Sequence, residues 1–489
     1  MHGIGPFSRT DLQRCQGIAL CRVLLGTVLV SVTSTSASIL SGPSVHPAEL
    51  PARLRTAKPG DELVIAPGVY RDLAVSLGAQ GQPDRPITIR PGSPGSVVFT
   101  GSSSVELKGV GVTLNGLCFE GCTAAPLLLR DTRSCRITNC SFIRCNPPDN
   151  SRTHWLRVVG GAAADNRVDH CRFEGKTADG VMLVVDGSDG KMPARTRIDS
   201  NHFAHVVRAV RNGMETIRLG TSSYGQIDAI SVVEGNLFER CSGDAEIISV
   251  KSCGNIIRRN TFRGCEGGVV LRHGHRSRVE SNYFFGDGVA RSAGIRVHGS
   301  DHRVFNNYLQ GLGGFSLALP NGQTRFQPAG HEPTVSAVVA HNTIVGSLGP
   351  SIEIGGEASE LRDLRPTNCT VANNLWIGPK SDLLRGSADG VRLIGNLASD
   401  VAPTSRQPAF AEVLAALQVD EDAVRRPGNG LGALLSGLRL GEIGPPDDLC
   451  GTPRSLTEVP HVGAELIGCR KHRRPLKSAD VGPRSAPVD

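Results

Sequence analysis

The stretch DAEIISVKSCGN, Asp244 to Asn255, sets two carboxylates at alternate positions and a lysine five positions past the second. On a strand, residues i and i+2 share a face, so Asp244 and Glu246 would project together. Two like charges side by side repel unless a cation lies between them, and buried charges are costly unless paired. Asn212, in RNGMETIRLG, is a third oxygen donor able to approach from a preceding coil of a repeating chain. Asn, Asp and Glu are hard-oxygen ligands suited to Ca²⁺, with water or substrate oxygens completing the shell. Lys251 is a candidate base, and its odd offset from Glu246 demands a bend or bulge if the two are to share a face. Arg272 and His273, in LRHGHR, lie 21 and 22 residues beyond Lys251, about one coil away. Taken singly, each charge fits an ordinary solvated surface; together they outline a one-sided patch.

Such a patch suits proton abstraction beside a carboxylate. Removing the C5 proton of a uronate builds charge onto the neighbouring carboxylate, which a metal or an arginine clamp stabilises. A lysine base works only when neutral, a form that an adjacent cation and guanidinium favour. β-Elimination then breaks the 4-O glycosidic bond. Arginine is a poor acid, so Arg272 would stabilise the leaving oxygen while water or His273 delivers the proton.

The elements that must position these residues are repetitive. CRITNCSF, NRVDHCRF, TRIDSNHF, SVVEGNLF, NIIRRNTF, SRVESNYF, HRVFNNYL, AVVAHNTI and CTVANNLW share one template. An alternating strand leads to a polar corner, usually Asn, and then to an aromatic or aliphatic residue. Asn236, Asn260, Asn282 and Asn307 are 24, 22 and 25 residues apart, and longer steps elsewhere imply loops inserted into single turns. A period in the low twenties with short alternating strands predicts a solenoid. The leucine-rich repeat signature is absent, so the expectation is an all-β parallel β-helix. Asn tolerates left-handed geometry and bonds local backbone, which would explain its place at a corner.

Composition agrees. The 489 residues include 59 Gly and 30 Pro but only 4% aromatics, as in a turn-rich fold without long disordered tracts. The net charge of +7 favours a polyanion. No zinc spacing, basic helix or aromatic-basic platform points to nucleic acid, and an acidic polysaccharide fits. LPARLRTAKPGDELVIAPGVY is expected to hold a helical cap over the open end of the stack, as solenoids require. The β-helix would run from residue 39 to 400, with 401–489 as a C-terminal appendage in which FAEVLAALQV forms a short helix. Residues 1–38, with Arg9, Arg14 and Arg22 ahead of an apolar core at Val23–Val32, predict a signal peptide, no membrane span, and a secreted or periplasmic monomer. Fourteen cysteines show no zinc pattern, and those sharing a register, such as Cys140 with Cys171, are expected as buried thiols rather than disulfides.

PGDELVIAPGVY, PITIRPGSPGSVVFTG, NRVDHCRFEGK, NGMETIRLGTS, DAEIISVKS, VVLRHGHRSRVESNYFFG and RPLKSADVGP resemble polysaccharide lyase family 6, the alginate lyases and chondroitinase B. The resemblance runs from about residue 50 to the C-terminus. It implies a right-handed parallel β-helix and Ca²⁺-assisted β-elimination on a uronate polymer. By motif, Lys251 resembles the Brønsted base and Arg272 the acid, and Asn212, Asp244 and Glu246 match the calcium ligands. Asp244 stands where the family commonly carries Glu, one methylene longer. His273, Lys176, Arg218, Tyr224, Arg296, His298 and Glu353 resemble substrate-subsite residues. The LRHG, VESNYFFG and GGVV phrases read more like the alginate branch than the branch acting on dermatan sulfate. Two other readings stay open: a non-catalytic polysaccharide-binding β-helix, and a hydrolase using paired acids, for which adjacent same-face carboxylates are badly placed.

Overall fold

Along Ala74–Gln80 every second residue is buried, and the same alternation recurs in one short strand after another. Strands this short cannot bury their inward faces alone, so each coil lends its strands to three shared walls. The computed structural model describes residues 44–323, 330–356, 358–378 and 383–399. It also describes the strands Phe410–Glu412, Leu417–Val419 and Arg425–Pro427, and residues 445–454, 462–464 and 473–484. The expected signal peptide lies outside the described residues.

Among these, the strands form three long sheets of 13, 14 and 12 strands, in which each strand pairs with the equivalent strand of the next coil. The first runs from Glu62–Ile65 to Val391–Ile394, the second from Gly68–Arg71 to Phe410–Glu412, and the third from Ala74–Gln80 to Leu384–Gly386. All pairings within them are parallel, and the coils wind into a right-handed β-helix. The short helix Leu50–Leu54 buries Leu50 and Leu54 against the end of the stack, as a cap should. FAEVLAALQV contains no helix among its described residues. Phe410–Glu412 instead extends the second sheet, and Leu417–Val419 pairs antiparallel with Arg425–Pro427. The open sheet edge offers backbone partners that outweigh a short run's helix propensity.

Two interior ladders set the register. Phe99, Phe119, Phe142, Phe173, Phe203, Phe238, Phe262 and Phe284 stack ring on ring, with centroids 4.5–5.3 Å apart. Asn201, Asn236, Asn260, Asn282, Asn307, Asn342, Asn374 and Asn396 form the second. Each side-chain amide donates to the next asparagine's Oδ1 at 2.9–3.0 Å. The same oxygen accepts a backbone N–H, so every buried polar atom of the row is satisfied. The asparagine is thus not the left-handed residue of the corner. That conformation falls one position earlier, at Ser200, Gly235, Arg259, Ser281, Asn306, His341 and Asn373. Cys140 and Cys171 extend the row toward the N-terminal coils, and Cys171 N–H bonds Asn201 Oδ1 at 2.9 Å. The described cysteines are free thiols, as expected.

The described C-terminal segments lie against the solenoid. Buried Arg454 bonds Asn306 Oδ1 and the carbonyls of Gly463 and Ala464. Residues 473–484 run back along the coils, where Leu476 N–H bonds Thr261 Oγ1 at 2.9 Å and Gly482 N–H bonds the Ser200 carbonyl at 3.0 Å.

Candidate active site

The third sheet carries the site. Its strands Ile217–Leu219, Glu246–Lys251 and Gly267–His273 are consecutive neighbours. The first and third turn sharply after their last residues, where a glycine with positive φ follows. A Cβ on Gly220 (φ +90°) would lie 2.4 Å from the Lys251 carbonyl oxygen, and one on Gly274 (φ +95°) 2.4 Å from that of Ser252. Only glycine permits this approach of one coil to the next. The ladder between Glu246–Lys251 and Gly267–His273 slips at Glu246/Ile248 and again at Val250/Lys251. Those irregularities supply the bend that the odd Glu246-to-Lys251 offset demands.

Lys251 Nζ lies 3.2 Å from Glu215 Oε1. Arg272 lies on the adjoining coil, its Nε 3.9 Å from Glu246 Oε1 and its Nη1 donating to the Gly330 carbonyl at 2.7 Å. Glu246 also accepts from the Ser249 hydroxyl. Burial pushes the Glu246 carboxyl above the usual range, helped by the like charge of Glu215 and opposed by Lys251, Ser249 and Arg272. Asp244 is not on the strand. It precedes it, 5% exposed, and its carboxylate accepts the N–H of Gly213 at 2.8 Å and that of Glu246 at 3.3 Å. The first bond ties Asp244 to the loop that carries exposed Asn212, and the second ties it to the start of the strand that carries Glu246.

Whether a cation suits this place is a question of charge and donor type. Among the described residues no three His, Cys, Asp or Glu side chains converge as a metal cage. The set on offer is two carboxylates and an amide, all hard oxygens. Glu215, Asp244 and Glu246 are three buried or half-buried carboxylates facing two cations, Lys251 and Arg272. No ion pair involves Asp244 among the described residues, and Glu215 Oε2 is buried without a hydrogen-bond partner. An uncompensated buried carboxylate is costly, and a divalent cation would relieve it. In donor type, Asn212, Asp244 and Glu246 suit a hard divalent cation such as Ca²⁺.

The other candidates divide. Arg218 and Arg296 lie on the outward row of the same sheet. Arg218 Nη2 is 3.5 Å from Asp186, and the Arg296 guanidinium sits 5.1 Å over the Phe315 ring. Glu353 is farther along that row, paired with Arg385 at 3.4 Å, and its negative charge would repel a uronate carboxylate. Tyr224 ends a short 3₁₀ turn, Ser222–Tyr224, and packs partly on the core. His273 is 1% exposed, with Nε2 3.3 Å from Arg272 Nη1; burial and the charges of Arg272 and Lys251 push it down to about 3, so it is neutral. It backs Arg272 rather than facing the cleft. His298 is fully buried, its Nδ1 on the Glu332 carbonyl at 3.2 Å, and it too cannot touch a sugar.

Lys176 is a clear correction. It is 0% exposed, donates to the carbonyls of Thr153 (2.9 Å) and Asp179 (3.4 Å), and lies 5.3 Å over the Trp155 ring. Its stem and charge serve the coil interior. Lys176→Met is expected to leave kcat/KM unchanged. Burial lowers the Lys176 pKa to about 8. The unfolded chain then binds the extra proton, and wild-type stability rises with pH between about 8 and the ordinary lysine value. Denaturant titrations at several pH values should show that rise in the wild type and lack it in the variant.

Glu215 and Glu332 were missed. Glu215 sits inside NGMETIRLG, between residues already singled out, but no parity rule sends it toward Lys251. Glu332 reaches the site from a long insertion. It accepts from Gln226 at 3.0 Å and lies 3.9 Å from His273 and 3.7 Å from His275.

The family model described as Chondroitinase B matches residues 45–421. A solved alginate lyase of polysaccharide lyase family 6, AlyGC, is 28% identical with TM-score 0.74 over 89% of this chain, which spans only 57% of that one. A mannuronic acid specific family 6 lyase from human gut microbiota is 29% identical with TM-score 0.69, covering 76% of this chain and 91% of the other. A family 6 lyase from Pseudopedobacter saltans, at 22% identity and TM-score 0.67, covers 90% and 98% and supports the fold. No curated protein matches. With its three-walled β-helix and the Lys251–Arg272 cleft on one wall, the chain belongs to the chondroitinase B family of polysaccharide lyases, family 6.

Proposed function

We propose that the protein cleaves a uronate-containing acidic polysaccharide, alginate first, by β-elimination assisted by Ca²⁺. The observation that carries this reading is that Lys251 and Arg272 lie on adjacent coils, each ion-paired with a largely buried glutamate, Glu215 and Glu246. Lys251 takes the C5 proton. The C4–O bond then breaks as the C4–C5 double bond forms, and the departing oxygen receives a proton from water. Arg272 supports the leaving oxygen with fixed donors; a guanidinium keeps its own protons. Neutral His273 orients Arg272 and is not a cationic acid. A bound Ca²⁺, held by Asn212, Asp244 and Glu246, would neutralise the substrate carboxylate beside C5. Secretion or a periplasmic location fits a polymer substrate, and Arg218 and Arg296 are placed to meet its carboxylates.

Two similar enzymes support alginate, the 28% identical alginate lyase AlyGC and the 29% identical mannuronic acid specific lyase. The Chondroitinase B description of the matching family model favours dermatan sulfate as the second reading. Incubation with polymannuronate, polyguluronate and dermatan sulfate separates them. Ultraviolet absorbance of an unsaturated uronate should grow on one of the alginate blocks. Growth on dermatan sulfate alone would transfer the assignment, and no unsaturated product on any of the three would refute the lyase.

A further inference from the structure

Along the third sheet, Arg157, Val184, Arg218 and Ser249 follow one another in register on consecutive strands; Val184 and Ser249 are buried, and Arg157 and Arg218 are half-buried. Their chain neighbours Leu156, Val158, Leu183, Val185, Ile217, Leu219, Ile248 and Val250 all point into the core. Lys251 is two residues past Ser249 on the last of these strands. Arg157 therefore stands three strand spacings, about 14 Å, from the reacting coil, with Arg218 between.

Arg157 is half-buried, its Nε is buried without a hydrogen-bond partner, and no ion pair involves it among the described residues. Two neighbouring charges are already engaged: Arg152 pairs with Asp179 at 3.1 Å, and Lys176 is spent on backbone carbonyls. Arg218 lies 3.5 Å from Asp186, but its Nε is likewise buried without a hydrogen-bond partner. His154 accepts the Val181 N–H at 2.9 Å. Burial and the charges of Arg218, Arg157, Lys176 and Arg152 push His154 down to about 3, a sign of how much positive potential gathers here. A guanidinium held partly out of water without an anion is costly, and its planar fork matches a carboxylate.

We propose that Arg157, beside Arg218, is a distal subsite that binds the carboxylate of a uronate several residues from the scissile bond, toward the N-terminal coils. This rests on the lyase reading of the cleft. A long chain laid along the coils reaches Arg157 while its scissile uronate sits at Lys251, and a short oligosaccharide does not.

The test compares Arg157→Gln with wild type on polymeric substrate and on a uronate trisaccharide. KM for the polymer should rise about tenfold, the loss of one charge-assisted hydrogen bond. Trisaccharide turnover should stay unchanged, which also certifies the fold of the variant. Arg157→Lys, keeping charge without the fork, should fall between. An unchanged polymer KM, or an equal loss on both substrates, overturns the subsite. If the wild type yields no unsaturated product, the lyase reading fails separately, and mobility in gels containing alginate or dermatan sulfate still decides. Arg157→Gln should then be retarded less than wild type, and equal retardation, or none for either protein, overturns the proposal.

Discussion

Lys251→Arg should lower kcat by about 10²–10⁴, the usual worth of a positioned general base, while substrate binding persists. Arginine is the informative replacement. Lys251 is ion-paired at 3.2 Å with Glu215, which is 3% exposed, so truncation to alanine would strand a buried carboxylate and confuse loss of chemistry with loss of fold. Arginine keeps a cation beside Glu215 but cannot release its proton to become a base. A protein that only binds polysaccharide needs the charge alone and would tolerate the change. Initial rates of unsaturated-product formation, together with retardation in a substrate gel, separate the two. Near wild-type turnover by Lys251→Arg would remove Lys251 as the base. A companion Glu215→Gln variant should retain more activity than Lys251→Arg, because Glu215 holds the lysine without touching the substrate.

The repeat was the most legible part of the sequence because two physical signals coincide in it. Strand parity places Val, Ile and Phe inward, and the recurrent asparagine marks a buried polar position repeated coil after coil from Asn201 to Asn396. The reason for that asparagine was misread from sequence. Left-handed backbone is a local property and was assigned to the residue most tolerant of it, whereas the ladder depends on the next coil's Oδ1, 22 to 35 residues away. The site was legible where it follows the strands, at Lys251 and Arg272 one coil apart. It was not legible at Glu332, whose approach to Gln226 spans 106 residues and depends on the path of an inserted loop. Lys176 failed for the opposite reason. Lysine is almost never fully buried, so its sequence context promised a surface, and only the cage of Thr153, Asp179 and Trp155 shows otherwise. Phe410–Val419 shows the same limit for secondary structure, since a ten-residue pattern cannot report a sheet edge waiting beside it.

Removal of Ca²⁺ should cost both activity and stability, and the pH dependence of the stability loss identifies the carboxylates responsible. Burial and Glu215 raise the Glu246 pKa above its ordinary value in the metal-free fold. The folded state then holds a proton that the unfolded chain releases, so metal-free stability falls as pH rises from the ordinary glutamate value through the raised one. A cation at Asn212, Asp244 and Glu246 favours the ionised form and cancels that penalty. Added Ca²⁺ should therefore raise Tm little at acid pH and fully at neutral pH. At a hundredfold excess over Kd the gain is about 2.7 kcal/mol. Asp244→Asn keeps an oxygen for the Gly213 N–H but removes the carboxylate that lacks a cationic partner. That variant should be less sensitive to chelator, in Tm as well as in rate. Equal Tm and equal rate with Ca²⁺ and with chelator at neutral pH would leave the three residues without a metal role, and Arg272 would then be the remaining clamp for the substrate carboxylate.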